Sequence, residues 1–550
     1  MAADPVTELR GTLERAIAGI EPDSTAQPGL ERPPKAELGD YSTNAAMLLA
    51  PVMRMAPREI AERLAGEVER ALEGRAKRVE VAGPGFVNVF LDDRWHREAV
   101  ASVLGTERFG AGGRAPHAIL LEFVSANPTG PLTVAGARGA AYGDSLGRVL
   151  EATGGDVSRE YYMNDAGTQI RNFAASIAAR MRGEEPPEDG YSGEYVTELA
   201  RELAAAGADA SDLDGLARTG VEAMRARIAE TLERFGVTFD TWFSERSLHE
   251  HGAVEDTVEE LRAAGHAYDS EGAVWLRTTE FGDDKDRVLI RSDGEPTYFV
   301  ADIAYHRDKL ARGAEHMITP VGADHHGYVP RMRAALAALG KDPDSYEAPI
   351  MQLVNIVEGG ERARMSKRRG EFVTLDELID DVGADAARWF LAQRSHDTAL
   401  DLDLDLARTQ SQDNPVYYVQ YAHARIASIL RKAADEDAPG GDDPRAAALA
   451  AAALASAAEA SERALIRRLL DFPAEVELAA DRRAPHRLCA YSTALAADFH
   501  AFYRDCRVVG VDAEQGTDGL EQARLGVCMA AKMVIAEALA LLGIGAPERM

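Results

Sequence analysis

The chain has 550 residues, too many for one compact core, so about two to four domains are expected. Its 61 basic and 91 acidic residues give a net charge of −30, which argues against a protein that coats nucleic acid but allows a local basic groove. Apolar runs are short or interrupted by charges, so no membrane span is expected, and three cysteines without CxxC spacing indicate neither a disulfide framework nor a zinc ribbon.

The predicted elements of residues 1 to about 105 form a first unit. The N-terminal segment starts acidic and becomes an amphipathic helix over about 5–20, unlike a signal peptide, so we expect a cytoplasmic protein. Further on, RVEVAGPGFVNVFLD alternates apolar and polar residues around Gly83 and Gly85, as strands do. The Gly-rich stretch 109–118 is a predicted linker to the next unit.

Strand and helix patterns alternate after this linker. The order AILLEFV, GARGAAYGDSLGRVLEATG, VSREYYM predicts a βαβ unit and hence a parallel sheet. Residues about 185–270 are mostly acidic helix and are interpreted as an insertion. Strand patterns return in AVWLRTT, RVLIRSDG, HMITPVGADH and APIMQLVNIV, and helix dominates from about residue 385 onward.

Two distant segments carry the strongest chemical signal. Residues 119–138, ILLEFVSANPTGPLTVAGAR, combine an apolar strand, a Pro/Gly turn and a helix start, an arrangement whose backbone amides suit a phosphate. Residues 360–371, GERARMSKRRGE, form a basic loop with Lys367 at its centre, in a chain that has only eight lysines. Together the two segments predict a nucleotide site closed from two sides.

These segments resemble the two signature motifs of class I aminoacyl-tRNA synthetases, and their surroundings resemble the arginyl-tRNA synthetase family. The similar words include LGDYSTN (38–44), GPGFVN (83–88), NDAG (164–167) and DNPVYYVQYAHAR (413–425). The resemblance implies an α/β fold: a Rossmann-like parallel-sheet catalytic domain (109–385), an α+β N-terminal tRNA-binding domain (1–108) and an all-helical C-terminal anticodon-binding domain (386–550).

The resemblance also implies an ATP site. Its expected contacts are Thr133, Ala135, Gly136, Gly322, Asp324, His326, Met365 and Lys367. Lys367 and Thr133 are the expected catalytic residues, with Lys367 stabilising the pyrophosphate leaving group. Where the family has His-x-Gly-His, this chain has Thr133-Val134-Ala135-Gly136, so neither family histidine is present.

The expected arginine contacts are Ser125, Asn127, Glu245, Tyr298 and Asp302. Tyr298 and Asp302 are four residues apart and so share a helix face. A buried carboxylate beside a phenol suits the planar fork of a guanidinium. The adjacent His325 and His326 could instead suggest a metal, but neighbours on an extended chain point opposite ways, and no metal ligands are predicted.

The implied activity is ATP-dependent formation of arginyl-adenylate and transfer of the arginyl group to tRNA(Arg), with Mg²⁺ accompanying ATP. Arginine, ATP and tRNA(Arg) are the expected partners, and the family suggests a monomer. Two alternatives stay open. The altered tetrad would also fit a catalytically impaired paralogue that binds tRNA or arginine. A cysteine-class ligase of similar architecture needs thiolate zinc ligands, and no cysteine precedes position 489.

Overall fold

The computed structural model describes residues 5–33, 35–72, 74–112, 114–325, 327–362, 373–436, 459–511 and 519–550. Within these ranges no helix is long and apolar enough to cross a membrane.

The first unit packs helices against a small antiparallel sheet. Its elements are α1 (Pro5–Ile20), β1 (Leu30–Glu31), a 3-10 turn (Ala36–Leu38), β2 (Tyr41–Thr43), α2 (Ala45–Met53), α3 (Pro57–Ala71), β3 (Ala76–Ala82), β4 (Phe86–Leu91) and α4 (Asp93–Gly105). The strand order is β1-β2-β4-β3. The β3–β4 hairpin turns at Gly83 and Gly85, which have φ of +53° and +149°. A Cβ at Gly85 would lie 2.9 Å from the Cβ of Pro57, so only glycine fits there. The α+β character predicted for this unit is confirmed.

The second unit is built on a five-stranded parallel sheet. Its first elements are β5 (Ala118–Glu122), α5 (Val134–Ala152), β6 (Asp156–Met163), α6 (Gly167–Met181), α7 (Glu194–Ala205), α8 (Leu213–Arg234) and β7 (Thr241–Ser244). The later strands are β11 (His316–Ile318) and β13 (Tyr346–Glu347), and the order is β13-β11-β5-β6-β7. Leu120 of β5 pairs with Ser158 on one side and Met317 on the other. The predicted parallel βαβ order is confirmed.

The range interpreted as a mainly helical insertion, residues about 185–270, also contributes a strand to the main sheet. This strand, β7, pairs in parallel with β6 and lies at the edge of the sheet. The short strand TWFS lies among acidic helices, so its apolar pattern is too brief to stand out in the sequence.

A smaller antiparallel sheet follows β7. The elements here are α9 (Glu245–Glu250), α10 (Ala253–Ala263), β8 (Ala267–Ser270), β9 (Ala273–Leu276), a 3-10 turn (Thr278–Phe281), β10 (Arg287–Ile290) and α11 (Tyr298–Ala311). The strand order is β10-β9-β8. The strand patterns AVWLRTT and RVLIRSDG thus belong to this sheet and not to the parallel one.

The remaining elements of the second unit run from residue 321 to residue 408. Its elements are β12 (Val321–Gly322), 3-10 turns (Ala323–His325 and Pro343–Ser345), α12 (Tyr328–Ala338), β14 (Ile350–Met351), β15 (Val354–Glu358), β16 (Glu361–Arg362), α13 (Leu375–Val382), α14 (Ala384–Ala392), β17 (Leu400–Asp403) and α15 (Leu404–Arg408). β17 pairs in parallel with β15 although it lies beyond residue 386. The expected boundary at 385/386 falls inside α14.

The C-terminal unit is helical in the ranges that the structure describes. Its helices are α16 (Pro415–Glu436), α17 (Ala460–Leu470), α18 (Phe472–Asp481), α19 (His486–Asp505) and α20 (Leu520–Leu541). This unit touches both others. Arg463 of α17 pairs with Asp93 of the first unit at 2.7 Å, and the Tyr142 hydroxyl of α5 donates to the Arg483 carbonyl at 2.9 Å.

Candidate active site

Several of the predicted site residues that the structure describes follow the carboxyl ends of parallel strands: Ser125 and Asn127 come after β5, and Glu245 comes directly after β7. The chain runs from β5 outward to β6 and β7, then returns to β11 on the other side of β5. The strand order therefore reverses between β5 and β11. In open α/β sheets such a reversal opens a crevice at the carboxyl edge, which is where ligands bind.

The loop that leaves β5 is held in a strained conformation. Val124 has φ of +67° and Ser125 has φ of +42°, both in the left-handed region that non-glycine residues rarely adopt. Such residues cost about 1–3 kcal/mol each and cluster at functional sites. The Ser125 hydroxyl accepts from the Tyr162 amide at 3.2 Å, and the Asn127 amide donates to Gln169, which together aim this loop into the crevice.

Asp302, on α11, is the most perturbed carboxyl in the crevice. Burial raises the pKa of Asp302 to about 7. The negative charges of Glu122 and Glu245 raise this pKa further, while a hydrogen bond from the Tyr328 hydroxyl lowers it. Tyr328 donates this short hydrogen bond to the Asp302 carboxylate. In the described part of the chain Asp302 makes no ion pair, so the group is suited to receive a cation from a ligand.

Glu245 is the second carboxylate of this region and begins α9, directly after β7. It is 6% exposed. Burial raises the pKa of Glu245, partly offset by a hydrogen bond with Tyr162 and the positive charge of His249. No ion pair to Glu245 occurs among the residues that the structure describes. Glu245 and Asp302 thus place two carboxyl groups with raised pKa values at one end of the crevice.

Tyr298 lies at the solvent-exposed start of α11. It is the first residue of the helix and its side chain is 71% exposed. The phenol beside Asp302 belongs to Tyr328, 26 residues further along the chain. Sequence reasoning missed Tyr328 because it lies on a different helix, α12. The contact between α12 and α11 depends on tertiary packing, which the sequence pattern does not show.

Sequence reasoning also missed a buried ion pair at the end of β5. Lys309 of α11 is fully buried and its Nζ lies 2.6 Å from the Oε2 of Glu122. A signal was present in the sequence, because Glu122 interrupts the apolar run ILLEFV and a charge in a buried strand needs a partner. The ammonium group of Lys309 helps to hold the pKa of Glu122 low, against burial, which raises it.

The altered tetrad begins α5. Thr133 occupies the N-cap position without a side-chain cap, and its backbone pairs with that of Thr374. Val134 donates to the Val373 carbonyl at 3.2 Å. The amides of Ala135 and Gly136 follow in the first helical turn, where no intrahelical acceptor exists. This helix start is therefore available to an anion, as the sequence suggested.

Arg138, two residues beyond the tetrad, points away from it. Its guanidinium donates to the carbonyls of Gln352, Ser395 and Thr398 at 2.6–2.9 Å. The side chain is 2% exposed. Arg138 therefore links α5 to the segments before β15 and after α14. Because its guanidinium is held there, it does not supply the positive charge of a family histidine.

Two of the remaining expected ATP contacts, Gly322 and Asp324, lie at the end of β12, which pairs with β14. Gly322 ends β12, and Asp324 follows in a 3-10 turn with an exposed side chain. His326, Met365 and Lys367 lie outside the described residues. Within the described ranges, no group of three or more His, Cys, Asp or Glu side chains is arranged to hold a metal ion.

The three units match three family models in the same order along the chain. Residues 7–91 match the arginyl tRNA synthetase N-terminal domain, 206–426 match the catalytic domain of class I (R) tRNA synthetases, and 419–550 match the DALR anticodon binding domain. An arginine–tRNA ligase of Frankia alni is 47% identical over 560 residues, covering 100% of both chains.

The chain belongs to the arginyl-tRNA synthetase family. An arginine–tRNA ligase of Desulforudis audaxviator is also 47% identical, covering 98% of this chain and 97% of its own. The fold is that of the arginyl-tRNA synthetase of Thermus thermophilus, with a TM-score of 0.77, 24% identity, and coverage of 99% of this chain and 100% of that one. The family membership and the Rossmann-like, α+β and helical architecture expected from the sequence are confirmed.

Proposed function

We infer that this chain is an arginine–tRNA ligase, which activates arginine with ATP and transfers it to tRNA(Arg). The observation that carries the inference is identity at 47% across the full length to proteins named for that activity. The crevice adds chemical support, since its buried carboxylates suit a cationic amino acid.

The reaction has two steps. The arginine carboxylate attacks the α-phosphorus of ATP in line, forming arginyl-adenylate as the bond to pyrophosphate breaks. The terminal ribose hydroxyl of the tRNA then attacks the arginyl carbonyl and AMP leaves. Neither step needs a covalent bond to the protein, so the chain acts by positioning its substrates and stabilising charge.

At the arginine end, we propose that Asp302 and Glu245 receive the guanidinium. Both carboxylates are desolvated and lack an ion-pair partner within the described residues, so the substrate cation would supply the missing charge. Ser125 and Asn127 on the strained loop would contact the backbone groups of arginine. Tyr298, exposed at the start of α11, would meet the substrate only from the rim of the crevice.

At the ATP end, the free amides of Ala135 and Gly136 would bind phosphate oxygens, with Thr133 as a neutral donor. Gly322 and Asp324 would line the nucleotide at the end of β12. The same role is proposed for His326, Met365 and Lys367, with Lys367 on the leaving pyrophosphate. Mg²⁺ would arrive on the ATP phosphates, and the exposed carboxylate of Asp324 is an oxygen ligand of the kind that Mg²⁺ accepts.

We propose that the helical unit binds unpaired bases of the tRNA. An open cleft between α16 and α19 is lined by aromatic and cationic side chains. Tyr417 and Tyr421 lie with nearly parallel rings, and Arg425 stands 4.8 Å from the Tyr421 ring centroid and 5.0 Å from that of Tyr503. Aromatic rings beside arginine suit base stacking. A tRNA role for residues 1–108 and 386–550, a monomeric state and a cytoplasmic location complete the proposal.

ATP–pyrophosphate exchange tests the proposal directly. The full chain should exchange pyrophosphate into ATP only with arginine, with the reaction dependent on added tRNA, and should charge tRNA(Arg). Lysine in place of arginine is the matched control and should support no exchange. If the parent chain is silent while Thr133→His/Ala135→Gly/Gly136→His exchanges, the chain is a binding paralogue and not a ligase.

A further inference from the structure

The Glu122–Lys309 ion pair is unlike the surface pairs of this chain. Lys309 has no exposed side-chain surface, and Glu122 is 7% exposed. Apart from Glu122, the contacts of the ammonium include the Tyr305 ring, whose centroid lies 4.2 Å away. Because two charges are costly to bury, such a pair requires that each partner be well satisfied. The carboxylate of Glu122 is therefore fixed in one orientation.

The fixed carboxylate of Glu122 in turn contacts the loop after β5. The Oε2 of Glu122 accepts from Lys309 at 2.6 Å, while its Oε1 accepts from the Ser125 hydroxyl at 3.0 Å. The hydroxyl has one hydrogen, which it donates to Glu122, so its oxygen can only accept other hydrogen bonds. One of these comes from the Tyr162 amide at 3.2 Å. A chain of contacts thus runs from Lys309 through Glu122 to Ser125.

The loop needs such support because its backbone is strained. Val124 and Ser125 both have positive φ, and Val124 is β-branched. Strained residues persist where several neighbours fix them. The next residue, Ala126, is held at both its amide and its carbonyl by the Tyr161 hydroxyl, at 3.1 and 2.8 Å. The Glu122 contact supplies the matching restraint on the Ser125 side chain.

We propose that Lys309 is a positioning residue for the amino-acid substrate, acting through Glu122 on Ser125 without touching the substrate. The inference rests on the proposed function, in which Ser125 contacts arginine. It assigns Lys309 a role in arginine affinity beyond fold stability. It also keeps the Ser125 oxygen an acceptor, the form that suits a donor group of the amino acid.

A double-mutant cycle on the full chain tests this positioning role. Lys309→Met and Ser125→Ala are measured singly and together by ATP–pyrophosphate exchange with saturating tRNA. Each single variant should raise the KM for arginine by about tenfold or more while the KM for ATP changes by less than about threefold. In the Lys309→Met background, Ser125→Ala should add less than about twofold, because residues in one hydrogen-bond network are not additive.

Arg312→Met provides the matched control. Arg312, at the end of α11, pairs with buried Glu160 of β6 at 2.7 Å, in contacts that do not include the Ser125 side chain. Arg312→Met should lower the melting temperature. In the Arg312→Met background, Ser125→Ala should raise the KM for arginine by the same factor as it does in the parent chain. If Lys309→Met does not fold, Lys309→Met/Glu122→Gln replaces it, since a neutral pair leaves no unpaired buried charge.

The outcomes separate cleanly. Full additivity of the Lys309 and Ser125 effects, or a Lys309 variant with the parental KM for arginine, overturns the positioning role. If the parent shows no exchange, the cycle is repeated on arginine binding by titration calorimetry, and coupling there supports the positioning role although the ligase fails. A parent that neither exchanges nor binds arginine overturns both.

Discussion

Replacing Asp302 by asparagine tests the arginine site most directly. Asparagine keeps the shape and can still accept from the Tyr328 hydroxyl, so the change removes little besides charge. Loss of one partner of a desolvated charge pair costs about 2–5 kcal/mol, which raises the KM for arginine by roughly 30-fold to several thousand-fold. The KM for ATP should change little, because the residues proposed for ATP lie at other strand ends.

The pH dependence of the KM for arginine adds a second signature. Burial, opposed by the Tyr328 hydrogen bond, raises the pKa of Asp302 to about 7. A guanidinium needs the ionised form, so arginine should bind more tightly as pH rises, by up to about tenfold per unit below pH 7, and level off above it. Stability runs the other way. The native state holds this proton to higher pH than the unfolded chain does. The contribution of Asp302 to the free energy of unfolding therefore decreases as the pH rises from about 4 to about 7.

ATP–pyrophosphate exchange with varied arginine, from pH 6 to 9 and with saturating tRNA, measures both effects. In Asp302→Asn the slope below pH 7 should disappear. Asp308→Asn is the matched control, because Asp308 lies on the same helix and pairs at 2.7 Å with Arg312 in a half-exposed contact. It should change the KM by less than about threefold, as exposed pairs do. Equal KM values for parent and Asp302→Asn would remove Asp302 from the arginine site.

Three further predictions concern the other parts of the proposal. Lys367→Ala should slow adenylate formation in single-turnover assays by about 10²–10³ with tRNA affinity kept, and the reverse pattern would make the loop an RNA-binding patch. Thr133→Val should slow arginine activation about tenfold or more, as expected for a hydrogen bond to a charged group, and an unchanged exchange rate would exclude the hydroxyl. Tyr421→Ala should weaken tRNA binding by about 1–3 kcal/mol in filter-binding assays, with exchange restored at saturating tRNA, and unaltered binding would exclude stacking there.

The sequence was sufficient for the parallel sheet. The alternation of strand and helix around 118–163 predicted parallel pairing, which the register of β5 with β6 confirms. Helical periodicity put Tyr298 and Asp302 on one face, but it could not show that the start of α11 is exposed to solvent. Nor could it pair Asp302 with Tyr328, since that contact joins two helices whose packing depends on the whole sheet.

The two ends of the crevice differ in how charge is supplied. At the proposed arginine end, Asp302 and Glu245 have raised pKa values and no ion-pair partners in the described ranges, so a substrate cation would favour their ionised forms. At the phosphate end the tetrad carries no charge, and Arg138, the nearest cation along the helix, is held by backbone carbonyls. In the proposed reaction, stabilisation of the phosphates would then come from helix amides, from Mg²⁺ and from cations outside the tetrad, with Lys367 as the proposed one. A chain without the family histidines would place the electrostatic part of catalysis on those groups, which is why Lys367→Ala is expected to be the more damaging substitution.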